Sequence, residues 1–279
     1  MPTRSISKVF KAVSVSDGAG VLLKRSLGIG PEARLDPFLM LDEMDSEEGV
    51  DYIAGFPPHP HRGFETVTYM LEGKMRHEDN MGNTGLLTSG GAQWMTAGRG
   101  VIHSEMPEQQ EGKLHGFQLW INLPAADKMQ HARYQDIEPA LIPEPDLGNG
   151  VRARIVAGHL GDSAGPVSGI GTQPLFVDLS FSEDSHVEIP IPESHNAFVY
   201  CFQGAIRIGE DLIKDDHAAF LSSGGAVRLR SDSGGRCLLL AAAPIGEPVV
   251  QHGPFVMNTQ DEINRAVREY QEGTFANDE

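Results

Sequence analysis

The chain has 279 residues, room for one large domain or two of ordinary size. Hydrophobic residues make up 40%, enough for a packed core, and 32 glycines with 18 prolines suit a turn-rich β protein better than a helical one. The 39 acidic against 22 basic residues give a formal net charge of −17, which argues against nucleic acid or an anionic membrane as a direct partner, because both need a basic surface. No apolar run matches a signal-peptide core or a membrane span. The two cysteines, Cys201 and Cys237, read as reduced thiols, so a cytoplasmic location is expected.

In chain order, Lys8 to Val15 alternates, and Asp17-Gly18 before Val21-Leu22-Leu23 predicts a hairpin. Pro37 to Met44 is a strand-like run. Thr66 to Leu71 is rich in β-branched residues and ends at the turn Glu72-Gly73. Gly85 to Thr88 and Ala92 to Thr96 are two short strands, and Leu114 to Leu123 alternates as far as Pro124. Short strands at this spacing, punctuated by Gly and Pro, predict an all-β sandwich or barrel.

From Tyr134 to Gly150 the character changes. Pro139, Pro143 and Pro145 fall here, and Gly148-Asn149-Gly150 closes the stretch, which reads as a semi-rigid linker. Strand patterns resume at Val151 and run to Ala243. The expected division is therefore an N-terminal domain over 1–134, a linker over 135–150, and a second domain over 151–279.

The second half resembles a diverged copy of the first. Phe64 to Gly73 can be laid on His195 to Gly204, matching Tyr69 to Tyr200 and Gly73 to Gly204. On that register His59 and His61 face Pro190 and Pro192. A second register sets His103 and Glu105 against Leu229 and Ser231. The tail departs from the β pattern. Thr259 to Glu262 reads as a capping box, Ile263, Val267 and Tyr270 form one apolar stripe, and Gly273 is a stop. A short helix lying on the second barrel is expected.

The stretch Gly55 to Glu105 carries the candidate chemistry. His59 and His61 are two apart, as are His103 and Glu105, and residues two apart on a strand point to one face. Brought together, three imidazoles and one carboxylate suit iron, nickel, copper, manganese or zinc and leave coordination positions open. Pro60 interrupts the ladder between the two histidines, and Arg62 reads as a partner for a nearby carboxylate. Other residues have plainer readings. His77 lies in the charged stretch Arg76 to Asn80 and reads as solvated. His115 begins a strand and can face the barrel interior. His252 reads as a packing residue and Cys201 as an inert core thiol.

Phe56 to Gly73 resembles the N-terminal signature of the pirin family, within the cupin superfamily. Gln93 to Pro107, Gln118 to Leu123 and Pro248 to Thr259 are similar to its further blocks. The resemblance implies an all-β bicupin: two cupin β-barrels with a short C-terminal helix. The N-terminal barrel would hold one divalent transition metal, expected to be Fe2+ with Ni, Cu, Co, Mn or Zn as alternatives, and the C-terminal barrel none. It implies His59, His61, His103 and Glu105 as metal ligands. Glu65, the carboxylate of the general cupin pattern, becomes a supporting residue.

The resemblance also implies a quercetinase-type dioxygenase acting on a flavonol and O2, releasing CO, with Glu105 as general base. Phe56, Phe64, Trp94 and Met95 are candidates to stack the planar rings. The alternative it implies is an iron-dependent redox-sensing regulator that binds a protein partner. A bicupin has within one chain the barrel pairing that single cupins obtain by dimerising, so a monomer is expected.

Overall fold

The computed structural model describes residues 2–276. Nearly all regular structure is β, with one α-helix among the described residues, Gln260–Gln271. No helix among them is long and apolar enough to cross a membrane.

The chain divides into two compact units that exchange terminal segments. One unit joins Arg25–Pro37 and Ala140–Pro244 to the N-terminal segment ending at Val13. The other joins Ser14–Lys24 and Phe38–Pro139 to the C-terminal segment beginning at Ile245. This departs from a single division near residue 140. Ile6–Lys11 pairs antiparallel with His217–Leu221. The helix, expected on the second barrel, instead belongs to the first. Phe255, Met257, Ile263, Ala266 and Phe275 form one apolar cluster there, with Ile102 against it. Much of the expected linker is also ordered structure. Asp146–Gly148 pairs with Val151–Ala157, whose Ala153 and Ile155 N–H groups donate to the carbonyls of Pro145 and Pro143. Proline suits this edge because its missing donor is not needed there.

The unit holding residues 38–139 contains two large sheets and the small hairpin Val250–His252 with Phe255–Met257. A seven-stranded sheet runs in the order Arg133–Ile137, Ala92–Thr96, Phe64–Glu72, Leu114–Asn122, Phe38–Ser46, Val21–Leu27, Val13–Asp17. A four-stranded sheet runs Phe56–His61, Val101–Pro107, Lys74–Asp79, Thr84–Thr88. Across the larger sheet Thr68 pairs with both Gln93 and Gln118, and these three share one face. Thr68 and Gln118 bond to Glu105 of the smaller sheet, so this face is the interior between the sheets. Val67, Tyr69, Phe117 and Leu119 occupy the opposite face and are also fully buried. Both faces of Phe64–Glu72 are thus buried, and its polar side chains Glu65, Thr66 and Thr68 lie inside with the apolar ones.

The other unit is chiefly an eight-stranded sheet built largely from three long strands, Leu175–Pro190, Asn196–Ile208 and Ala226–Ala242, with a small two-stranded sheet, His159–Leu160 and Ser163–Ala164. Val177, Leu179, Ile189, Val199, Leu229 and Leu239 lie in its core. The pairing corrects the register of the internal repeat. Val187 lies opposite Leu229 and Ile189 opposite Val227, just as His59 lies opposite His103 and His61 opposite Val101. His59 and His61 therefore correspond to Val187 and Ile189, not to Pro190 and Pro192. The reason is a longer connection: residues 191–195 join the strands here, against 62–63 in the other unit. Aliphatic side chains fill the equivalent position, and no imidazole remains there.

Candidate metal centre

Strand Phe56–His61 runs antiparallel to Val101–Pro107 with His103 directly opposite His59. Period-two geometry then puts His61 on the same face. Ligand nitrogens of His59, His61 and His103 all lie within 4.8 Å of one another. The Nε2 atoms of His59 and His61 are 3.0 Å apart. Two nitrogens bound to one divalent ion at about 2.1 Å and at right angles would be separated by about 3.0 Å.

The proton positions also favour a cation. The Nδ1–H of His59 donates to the Pro57 carbonyl at 2.8 Å, leaving the Nε2 lone pair free. His103 Nε2 is buried and has no hydrogen-bond partner. Burial, reinforced by the neighbouring imidazoles, holds His61 and His103 well below the ordinary histidine value, so both are neutral at physiological pH. Converging imidazoles, two of them held neutral and each turning a ring nitrogen toward the others, fit a divalent transition metal. His59 is half-buried whereas His61 and His103 are each 2% exposed, so the centre opens on the His59 side.

Glu105 is not part of the tight imidazole group. A bulge between His103 and Glu105 sets Glu105 opposite Phe56. Its carboxylate is buried on the interior face. It accepts from Thr68 Oγ1 at 3.0 Å and from Gln118 Nε2 at 2.7 Å. Gln118 is itself oriented, its Oε1 accepting from Trp120 Nε1 at 3.3 Å. Glu65 lies on the opposite face of its strand and does not support these residues. It pairs with Thr96, whose hydroxyl donates to it at 2.7 Å, and burial pushes its carboxyl up to about 7.

Three residues near the centre were not read from the sequence. His77, expected to be solvated, is 1% exposed, and its Nδ1 lies 3.2 Å from His103 Nδ1. With His103 Nε2 kept as a lone pair, the proton between the two rings sits on His103 Nδ1 and is accepted by His77. His77 packs edge-on against Tyr134, 4.9 Å between ring centroids. The available signal was alternation: Met75 and His77 are the buried positions of Lys74–Asp79. Trp120 takes the place expected of Trp94. Trp120 and Phe64 stand 4.4 Å apart, at 5.3 and 5.1 Å from His61. Trp94 pairs with Val67 and lies on the opposite face. Phe56 flanks His59 at 6.5 Å, and Met95 packs with Val101 and Tyr134. Gln118, the third residue, was legible only as part of a strand.

His115 joins a different group, its Nε2–H donating to Glu43 Oε1 at 2.8 Å beside Asp45. Lys113 lies 3.1 Å and Lys24 3.8 Å from Asp45, so the carboxylate charge there is already matched by ammonium groups. Cys201 and Cys237 are free, fully buried and directly paired across neighbouring strands. Burial pushes the Cys201 thiol up to about 12, which makes it unreactive.

Comparison with known proteins accounts for this architecture. The pirin family model matches residues 21–121, and the model of the pirin C-terminal cupin domain matches residues 176–276. A Pseudomonas aeruginosa protein named "Putative quercetin 2,3-dioxygenase" is 47% identical over 98% of both chains. A pirin-like protein of Caulobacter vibrioides is 46% identical over 99% of this chain and 100% of its own. The crystal structure of a quercetin 2,3-dioxygenase from Acinetobacter baumannii superposes with a TM-score of 0.92 at 30% identity, covering 98% of this chain and 99% of that one. The chain thus belongs to the pirin family and consists of two cupin domains, the first of which brings His59, His61 and His103 together.

Proposed function

We propose that this protein is a metal-dependent dioxygenase that opens the heterocycle of a flavonol such as quercetin, with iron(II) held by His59, His61, His103 and Glu105. The observation that carries the reading is the convergence of three imidazoles, two of them held neutral by burial, beside a buried, oriented carboxylate. The similarity to proteins named as quercetin dioxygenases supports the substrate class. Nickel, copper, cobalt, manganese and zinc suit the same donors.

Each residue has a defined task. His59, His61 and His103 offer lone pairs, fixed by the hydrogen bond of His59 to Pro57 and the contact of His103 with His77. When bound, the metal supplies Lewis acidity toward the flavonol 3-hydroxyl and redox chemistry toward O2. Glu105 takes the 3-hydroxyl proton on a carboxylate oxygen, which Thr68 and Gln118 hold ready inside the barrel. The rings of Phe64 and Trp120, against His61, supply aromatic surface near the planar substrate. Flavonol and O2 then balance against one CO and one depside. Quercetin is incubated in air with metal-loaded protein while flavonol absorbance and CO are followed. Turnover that disappears in His59→Ala is expected. No turnover with any of the six metals, or equal turnover in His59→Ala, overturns the reading.

A further inference from the structure

The residue after His61 ties the metal centre to the far end of the chain. Arg62 is 3% exposed, an unusual place for a guanidinium. Its NH1 lies 2.7 Å from Glu269 Oε2 on the C-terminal helix. Its guanidinium stacks over the Phe275 ring at 4.4 Å. Its Nε donates to the Arg99 carbonyl, in the turn leading into the strand that carries His103. The backbone is tied as well. Arg62 N–H donates to Pro254 O at 3.2 Å, and Val256 N–H donates to Arg62 O at 3.0 Å.

The surroundings leave this junction little freedom. Gly63 has φ +87°, and a Cβ there would lie 2.0 Å from the Val256 carbonyl oxygen. The buried Lys128 ammonium joins both sides, reaching Gly63 O at 2.7 Å and Val256 O at 3.0 Å. A Cβ on Gly100 would come 2.9 Å from the Phe275 ring. The C-terminal segment therefore presses on the loop after His61 and on the turn before His103. These are the two connections that set how the ligand strands converge, since Val101 pairs directly with His61.

We propose that Arg62 is a positioning residue and that, through Glu269 of the C-terminal helix and Phe275 just after it, this C-terminal segment holds the His61 and His103 strands at metal-binding separation. The inference rests on the metal reading above and goes beyond it by assigning the helix a part in metal affinity. Lysine cannot replace Arg62, because only the planar fork can bond Nε and NH1 in different directions while stacking on a ring. Glu269 also pairs, through its other oxygen Oε1, with the exposed Arg265, which makes none of the Arg62 contacts to Phe275, Arg99 or the backbone of 254–256. Loss of Arg265 leaves the Arg62 contacts intact and provides a control on the same helix.

Four variants test this: Arg62→Lys, Glu269→Ala, Glu269→Gln and Arg265→Ala. Each is stripped of metal, checked for folding by circular dichroism, and titrated with Ni2+ against a competing chelator. Co2+ is then added and its visible absorption bands recorded, because these follow the geometry of the donors and not global stability. The expected result is a loss of Ni2+ affinity of about tenfold or more in Arg62→Lys and Glu269→Ala, as for other residues that orient ligands. Their Co2+ bands should shift, and Arg265→Ala should match wild type. Glu269→Gln keeps side-chain size and helix content, and gives the answer if the alanine variant unfolds. Wild-type affinity and an unshifted Co2+ spectrum in folded Arg62→Lys and Glu269→Gln overturn the proposal, as does an equal loss in Arg265→Ala. Wild-type protein that binds no Ni2+, or that binds it as tightly after His59→Ala, instead overturns the metal reading and the clamp with it.

Discussion

Glu65→Gln should stabilise the protein at alkaline pH and destabilise it at acid pH. Glu65 is 1% exposed, its Oε1 accepts from Thr96, and its Oε2 has no hydrogen-bond partner. Burial raises its carboxyl from the ordinary 4.5 to about 7. A carboxyl with a raised folded-state value keeps its proton in the native protein when the unfolded chain has already released it. Stability therefore falls as pH rises from about 4.5 to about 7 and is flat above that. At about 1.4 kcal/mol per pKa unit, the shift represents roughly 3 kcal/mol at pH 8. Glutamine removes this penalty and can still accept from Thr96, but its amide N–H group is left without a partner, which costs about 1 kcal/mol. The net expectation is a gain of about 2 kcal/mol at pH 8 and a loss of about 1 kcal/mol at pH 4. Urea unfolding of both proteins with chelator present, at whole pH values from 4 to 8, measures the two curves. A difference independent of pH, or a glutamine variant less stable at pH 8, would refute the argument that Glu65 is a buried neutral acid.

Other outcomes are expected. His77→Phe keeps the packing against Tyr134 but cannot accept from His103 Nδ1, so Ni2+ affinity should fall about tenfold to a hundredfold in a chelator competition. Unchanged affinity would remove His77 from the centre. Thiol reagents at pH 8 should label Cys201 and Cys237 only as fast as the protein unfolds, because both are fully buried and their pKa values are raised. Rapid labelling of native protein would contradict this. Thr259→Ala removes a capping box in which Thr259 accepts from Glu262 N–H and Glu262 accepts from Thr259 N–H, and should cost about 1 kcal/mol in thermal or urea unfolding.

Local chemistry was the part of the fold and the centre that the sequence made legible. His59 and His61 could be placed on one face because a strand alternates with period two, whatever lies around it. The same holds for the capping box at Thr259, which uses only residues three apart. What the sequence concealed depends on register between distant strands. His77 meets His103 only because Lys74–Asp79 lies beside Val101–Pro107. Gln118 reaches Glu105 only because the two sheets face each other, and Trp120 replaces Trp94 because one residue of offset exchanges the faces of a strand. The bulge after His103 likewise turns Glu105 away from a simple fourth corner. The longer connection after Pro190 shifted the internal repeat by the difference in loop length, and the gapless register could not register it. The exchange of terminal segments follows from side-chain packing, such as Phe255 and Phe275 against Ile102, and has no local signature.

The most direct test of the account is metal content and affinity across the imidazole group. Purified wild-type protein is reconstituted with Fe2+ without oxygen, and in parallel with Ni2+, desalted and analysed for bound metal. His59→Ala, His61→Ala and His103→Ala are treated in the same way. The account predicts one metal per chain in wild type and its loss in each variant, with circular dichroism unchanged. Full metal content in folded His103→Ala, or none in wild type, would contradict it.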